Sequence, residues 1–101
     1  MSGPALDPLI TTPLRLQIAA VLASVREAEF SLLRAALDVS DSVLSKQLKQ
    51  LERAGYVANR KAASGGHLRT WLSLTKNGRS AFAAHVQALQ RLASLASDGG
   101  K

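Results

Sequence analysis

The sequence has 101 residues, of which 47% are hydrophobic, and a net charge of +6. That length holds one domain with one core, and that composition folds rather than staying disordered. The chain has no cysteine, which excludes disulfides, thiolate metal sites and cysteine nucleophiles.

Residues 1–12, with Pro4 and Pro8, read as an extended arm. The opening MSGPALDPLI lacks the basic and long apolar regions of a secretion signal. No apolar run reaches the roughly 20 residues that span a bilayer, so a cytoplasmic protein without a membrane partner is expected. Thr12 suits an N-cap and Pro13 the first helical position, where its missing N–H costs nothing. Leu14, Ile18, Val21, Leu22 and Val25 then recur at helical spacing as the buried stripe of a first helix.

Phe30 is expected in a very short strand, and Ser31 as the cap of a second helix over Leu32 to Leu37. A polar turn with Asp38, Ser40 and Asp41 follows. Ser40 caps a third helix, Asp41 favours its positive dipole end, and Gly55 ends it in the left-handed conformation. Residues of about 31–55 thus form a compact helix–turn–helix.

Next comes a hairpin over about 56–74. Strands Tyr56 to Lys61 and Leu68 to Leu74 flank AASGGH, where Gly65-Gly66 can take the positive φ values of a tight turn. In the second strand Leu68, Thr70, Leu72 and Leu74 share one face, and Arg69, Trp71 and Ser73 the other. Thr75 caps a long last helix, about Lys76 to Ala96, with a frayed tail from Ser97. Its stripe is Phe82, Val86, Leu89, Ala93 and Ala96, widened by Ala81, Ala88, Leu92 and Leu95.

The charge is unevenly placed. Between Ser40 and Arg79 eight basic residues (Lys46, Lys49, Arg53, Arg60, Lys61, Arg69, Lys76 and Arg79) face only Asp41 and Glu52. This block carries the whole excess of +6, because the other five basic and five acidic residues cancel. A one-signed block of this kind points to a polyanion, with nucleic acid ahead of membrane.

On a helical wheel Leu44, Leu48 and Leu51 form the core face of the third helix. Ser42, Lys46, Lys49, Gln50 and Arg53 lie on the opposite side, with Val43 and Ser45 on its flanks. This face can approach a groove floor: its serines, amide and lysines can bond phosphates or base edges, and Val43 can touch a thymine methyl. Arg60, Lys61, His67 and Arg69 border the hairpin tip and can track the backbone or enter the minor groove. Trp71 reads as packing.

These segments also resemble a known family. LDPLITTPLRLQIAAVL, EFSLLRAAL, VSDSVLSKQLKQLERAGYV and RTWLSLTKNGR are similar to the winged helix–turn–helix transcriptional regulators of the MarR/ArsR type, over about Leu6 to Leu92. The resemblance implies a mainly α fold with a small β-hairpin wing. It also implies a third helix that reads DNA, a homodimer on a pseudo-palindromic operator, and a repressor. Cysteine-based metal sensing is ruled out, and four aromatic residues do not suit a large aromatic ligand pocket. A small-molecule effector therefore has no support, and no cofactor is implied.

A second copy is also expected on separate grounds. Val86, Leu89, Leu92 and Leu95 in the last helix, with Leu6, Leu9 and Ile10 in the arm, offer more apolar surface than one small domain covers. The alternative is a winged-helix module that docks another protein, against which the charge block argues. His67 and His85 are too far apart in sequence to suggest a metal site. With no Ser/His/Asp spacing and no phosphate loop, an enzyme is not expected.

Overall fold

The computed structural model describes residues 6–99, so the expectation for residues 1–5 of the arm lies outside them. The elements in chain order are α1 (Pro13–Ala23), β1 (Ala28–Glu29), α2 (Phe30–Leu37), α3 (Asp41–Arg53), β2 (Val57–Ser64), β3 (His67–Leu74) and α4 (Lys76–Gly99). The three strands form one antiparallel sheet in the order β1-β3-β2.

The core sits where α1, α2, α3 and the sheet converge. Ile18 and Leu22, Leu33, Leu44, Leu48 and Leu51, and Val57, Leu72 and Leu74 are all buried in it. The leucines of α3 lie seven residues apart or less on one side, which fixes which face of that helix is left for solvent. Val25 was expected in the α1 stripe but is exposed, because α1 already ends at Ala23. The Arg79 guanidinium donates to the carbonyls of Ala23 and Val25 and so satisfies that helix end.

The caps differ in detail from expectation. Thr12 stands at the N-cap of α1, but its hydroxyl accepts from the Arg15 guanidinium at 2.7 Å, not from the backbone. Strand β1 is Ala28–Glu29, and Phe30 already opens α2. Ser31 is therefore inside the first turn, not the cap; Glu29 holds the N-cap position in an extended conformation because it is the last residue of the strand. Ser40 does cap α3, its Oγ accepting from the Val43 N–H at 3.2 Å.

The end of α3 follows a Schellman pattern. Gly55 has φ of 79°, its N–H donates to the Glu52 carbonyl, and the Tyr56 N–H donates to the Leu51 carbonyl, both at 2.9 Å. The hairpin is longer than expected, with strands that run to the two-residue turn Gly65-Gly66, at φ of 57° and 82°. Positive φ at both positions gives the turn whose twist matches paired strands.

The Thr75 hydroxyl accepts from the Gly78 N–H at 3.0 Å, capping α4, and donates to the Gly55 carbonyl at 2.6 Å. Helix α4 runs to Gly99, past the expected end at Ala96 and through the start of the tail expected to fray. Its buried positions are Gly78, His85 and Ala88, while Phe82 and Val86 are half-buried and Ala93 and Ala96 exposed. The line that faces the core thus runs through Gly78, His85 and Ala88, of which only Ala88 belongs to the expected apolar stripe, as one of its widening residues.

The arm is not extended over its described part. It turns at Pro8–Ile10, with the Asp7 carbonyl accepting from the Ile10 and Thr11 N–H groups. Asp7 also ties the arm to α4 and to the root of the hairpin. Its N–H donates to His85 Nδ1 at 3.0 Å, and its carboxylate accepts from the Tyr56 hydroxyl at 2.6 Å.

Candidate nucleic-acid interface

The outer face of α3 follows directly from burial of its leucines. Ser42, Val43, Ser45, Lys46, Lys49 and Arg53 are exposed, whereas Gln50 is half-buried and less available than the wheel suggested. Asp41, at the start of the helix, pairs with Arg34 at 2.9 Å. Lys46, Lys49 and Arg53 form no ion pair among the described residues. Gln47, between the faces, accepts from the Arg15 guanidinium at 2.8 Å and ties α3 to α1.

The hairpin cations are not one group. Residues directly opposite in an antiparallel pair share a face and neighbours along a strand do not. The register pairs Arg60 with Trp71 and Lys61 with Thr70. Arg60, Arg69 and His67 therefore lie on one face of the ribbon, with Trp71. Lys61 lies on the other, with Asn59 and Thr70, the face that continues into buried Leu72 and Leu74. Leu68 shares this second face as expected, but it lies beyond the core and is 72% exposed.

Acids from outside the basic block hold the first face. Arg60 donates twice to the Glu27 carboxylate, at 2.7 and 3.0 Å, and its guanidinium lies 5.8 Å from the Trp71 ring centroid. Arg69 pairs with Glu29, the last residue of β1. Hydrogen bonding to Arg60 holds the Glu27 carboxyl below the usual carboxylate range. Hydrogen bonding to Arg69, and secondarily to Ser31, does the same for Glu29. Both Arg60 and Arg69 reach a phosphate only in competition with a carboxylate already in place. Sequence reasoning missed Glu27 and Glu29 because they lie some thirty to forty residues from their partners. It could have separated Arg60 from Lys61, since adjacent strand residues must point apart.

Between α3 and the second face of the hairpin runs a groove of about 330 Å³. Ser45, Lys49 and Glu52 of α3 line one wall, Asn59, Lys61 and Thr70 of the hairpin the other, and Leu48 and Phe30 lie within it. The Lys61 Nζ donates to the Thr70 hydroxyl at 2.8 Å, which holds the ammonium over the groove.

The expected partner surface divides as well. Ile10 is 1% exposed and Leu9 half-buried against the core, so the arm's own chain covers them. Leu6, at 42%, remains open, and Val86 is half-buried. Leu89, Leu92 and Leu95 are 38%, 51% and 61% exposed, rising outward as α4 leaves the body of the domain. Leu6, Ala88, Leu92 and Leu95 line a shallow apolar hollow with Arg91.

Comparison with known proteins agrees with this geometry. Residues 14–93 match the family model described as a winged helix DNA-binding domain. An uncharacterized protein of Methanocaldococcus jannaschii is 30% identical over 84 residues, which cover 83% of this chain and 91% of that protein. The solved structure of a transcriptional regulator homologue from Pyrococcus horikoshii OT3 is 27% identical, with a TM-score of 0.81 over 85% of both chains. A protein of Enterococcus faecalis V583, assigned to the MarR family of transcriptional regulators, is 20% identical. It superposes with a TM-score of 0.79 over 91% of this chain and 83% of that one, which is a likeness of fold.

Proposed function

Since the chain belongs to the winged helix DNA-binding domain family, we propose that it is a sequence-specific regulator of transcription that sets α3 in the major groove of an operator. The observation that carries this reading is the outer face of α3. Three cations, Lys46, Lys49 and Arg53, stand exposed and unpaired among the described residues, beside the short side chains of Ser42, Val43 and Ser45. Such exposed charges suit the phosphates that flank a groove, and the small side chains let the helix approach base edges. Arg60, Lys61, His67 and Arg69 of the hairpin add backbone contacts.

The protein acts as a homodimer, and a pseudo-palindromic operator matches its two-fold symmetry. The supporting observation is the outer half of α4, where Leu89, Leu92 and Leu95 are increasingly exposed and Leu6 lies beside Leu92 and Leu95. Repression is the mode that needs least, since an occupied operator blocks initiation without any further contact. Such a regulator works in the cytoplasm, beside its DNA.

Selection of bound fragments from random DNA, followed by footprinting and a salt titration, tests the proposal. The expected result is one enriched, two-fold related motif, bound with an affinity that falls steeply with salt. Recovery of no motif, with affinity indifferent to salt, refutes it.

A further inference from the structure

The groove between α3 and the hairpin brings together two ammonium groups from separate elements, with hydroxyls beside both. Lys49 and Ser45 are one turn apart on α3, so their side chains project in the same direction. Lys61 and Thr70 are directly opposite on β2 and β3 and share the facing wall. The Thr70 hydroxyl accepts from Lys61 and so keeps its own proton to donate elsewhere. The cations on the other face of the ribbon are engaged by Glu27 and Glu29; Lys49 and Lys61 have no carboxylate partner among the described residues.

We propose that this groove is a clamp for a single phosphodiester of the DNA backbone, held between Lys49 and Lys61 with Ser45 and Thr70 as hydroxyl donors. The assignment rests on the DNA-binding reading above and adds to it the register between helix and hairpin. With α3 set in the major groove, a backbone strand that flanks it can enter between helix and hairpin, and about 330 Å³ has room for one phosphodiester. Phosphate oxygens accept from several donors at once, which two ammoniums and two hydroxyls supply. Glu52 lines the same wall as Lys49, further along the helix. It belongs to the last turn of α3, near the root of the hairpin, and its carboxylate repels a phosphate that slides inward. The clamp thus has a stop as well as a grip, and it fixes where along the groove the backbone lies.

The test measures binding of the full chain to a short random-sequence duplex across a salt series. The variants are Lys49→Ala, Lys61→Ala, the two together, Thr70→Val and Glu52→Gln, with Lys76→Ala, exposed at the start of α4, as the control outside the groove. Each lysine variant weakens binding, and the pair couples by about threefold or more because both cations serve one phosphate. Together they lower the salt slope by about 0.9, one phosphate's share. Thr70→Val weakens binding and Glu52→Gln tightens it about two- to fivefold, as removal of an exposed repulsion should.

A loss of about 1.8 in slope with additive effects means two separate phosphates and overturns the clamp. So does an unchanged affinity for Glu52→Gln. Saturable binding of inorganic phosphate to the DNA-free protein, abolished by Lys61→Ala, would make the groove a free-anion site instead. If the wild-type chain and the Lys76→Ala control do not bind duplex at all, it is the DNA-binding reading that falls.

Discussion

Replacing Gly78 by alanine opposes two effects of known sign. Gly78 lies in the first turn of α4, and alanine in a helix is ordinarily worth up to about 1 kcal/mol over glycine. Here the added Cβ would stand 2.1 Å from the Tyr56 carbonyl oxygen and 2.9 Å from its carbon, both backbone atoms. Relief requires α4 and the hairpin root to separate by about 1 Å, since ordinary contact begins near 3.4 Å. That movement breaks the Thr75 N–H bond to the Tyr56 carbonyl, at 3.0 Å, and the Thr75 hydroxyl bond to the Gly55 carbonyl, at 2.6 Å. Two hydrogen bonds contribute about 1 kcal/mol each, and forced overpacking costs about 1–3 kcal/mol. Less the helix gain, Gly78→Ala destabilises the fold by about 2–4 kcal/mol and lowers Tm by about 10 °C or more. Thermal and urea unfolding, followed by Trp71 fluorescence, measure it, with Asn77→Ala on the exposed side of the same turn as control. A Gly78→Ala protein as stable as the parent would refute the contact argument.

Four further outcomes are expected. Leu48→Ala, which empties a buried core position, costs about 2–5 kcal/mol in urea melts, whereas exposed Lys49→Ala leaves Tm nearly unchanged while it weakens DNA binding. Hydrogen bonding to Asp7 raises the Tyr56 pKa, so its contribution is present below the unfolded value near 10 and is lost as pH rises above it. Tyr56→Phe should therefore be less stable at neutral pH, and its alkaline melting curve should lack this loss. Arg69→Ala leaves Glu29 without its partner and should weaken specific and random duplexes by similar factors in anisotropy titrations, partly restored by adding Glu29→Gln; an effect confined to the specific site would show that the hairpin reads sequence. Leu92→Glu with Leu95→Glu should turn a dimer at tens of micromolar, roughly where such apolar contacts hold, into a monomer in equilibrium sedimentation, and a monomeric parent protein would sink the pairing surface.

Local signals made most of the fold legible. The leucine period of α3, the Ser40 cap, Gly55 and Gly65-Gly66 each act within a few residues, and each appears as expected. Boundaries went astray where a distant contact decides them. The start of α2 is set by the pairing of Ala28 with Leu72 and Glu29 with Trp71, so the chain stays extended through Glu29 and Ser31 loses its place as cap. Gly78 stands in a helix, where glycine is unfavourable, and its cause lies in a carbonyl 22 positions earlier. The site divided in the same way. The outward face of α3 followed from its periodicity, but Glu27, Glu29, Glu52, Asn59 and Thr70 enter only through packing of separate elements. Ile10 looked like surface for a partner because nothing local shows that its own chain buries it.

The basic block of the sequence is therefore not a basic block in space. Glu27 and Glu29 lie outside it in the chain and against it in the fold, and they engage the two wing arginines. Arg79, counted in the same block, is spent on the end of α1. Without an acidic partner among the described residues are Lys46, Lys49 and Arg53 on α3, Lys61 across the groove from Lys49, and Lys76 at the start of α4. A charge count along the chain thus mixes cations that the fold engages with cations left exposed on α3 and in the groove. The paired arginines brace the hairpin, since each ties β2 or β3 to the segment that ends in β1. That rigidity matters to a clamp whose two walls belong to different elements: Lys61 can oppose Lys49 at a fixed distance only if the hairpin cannot swing.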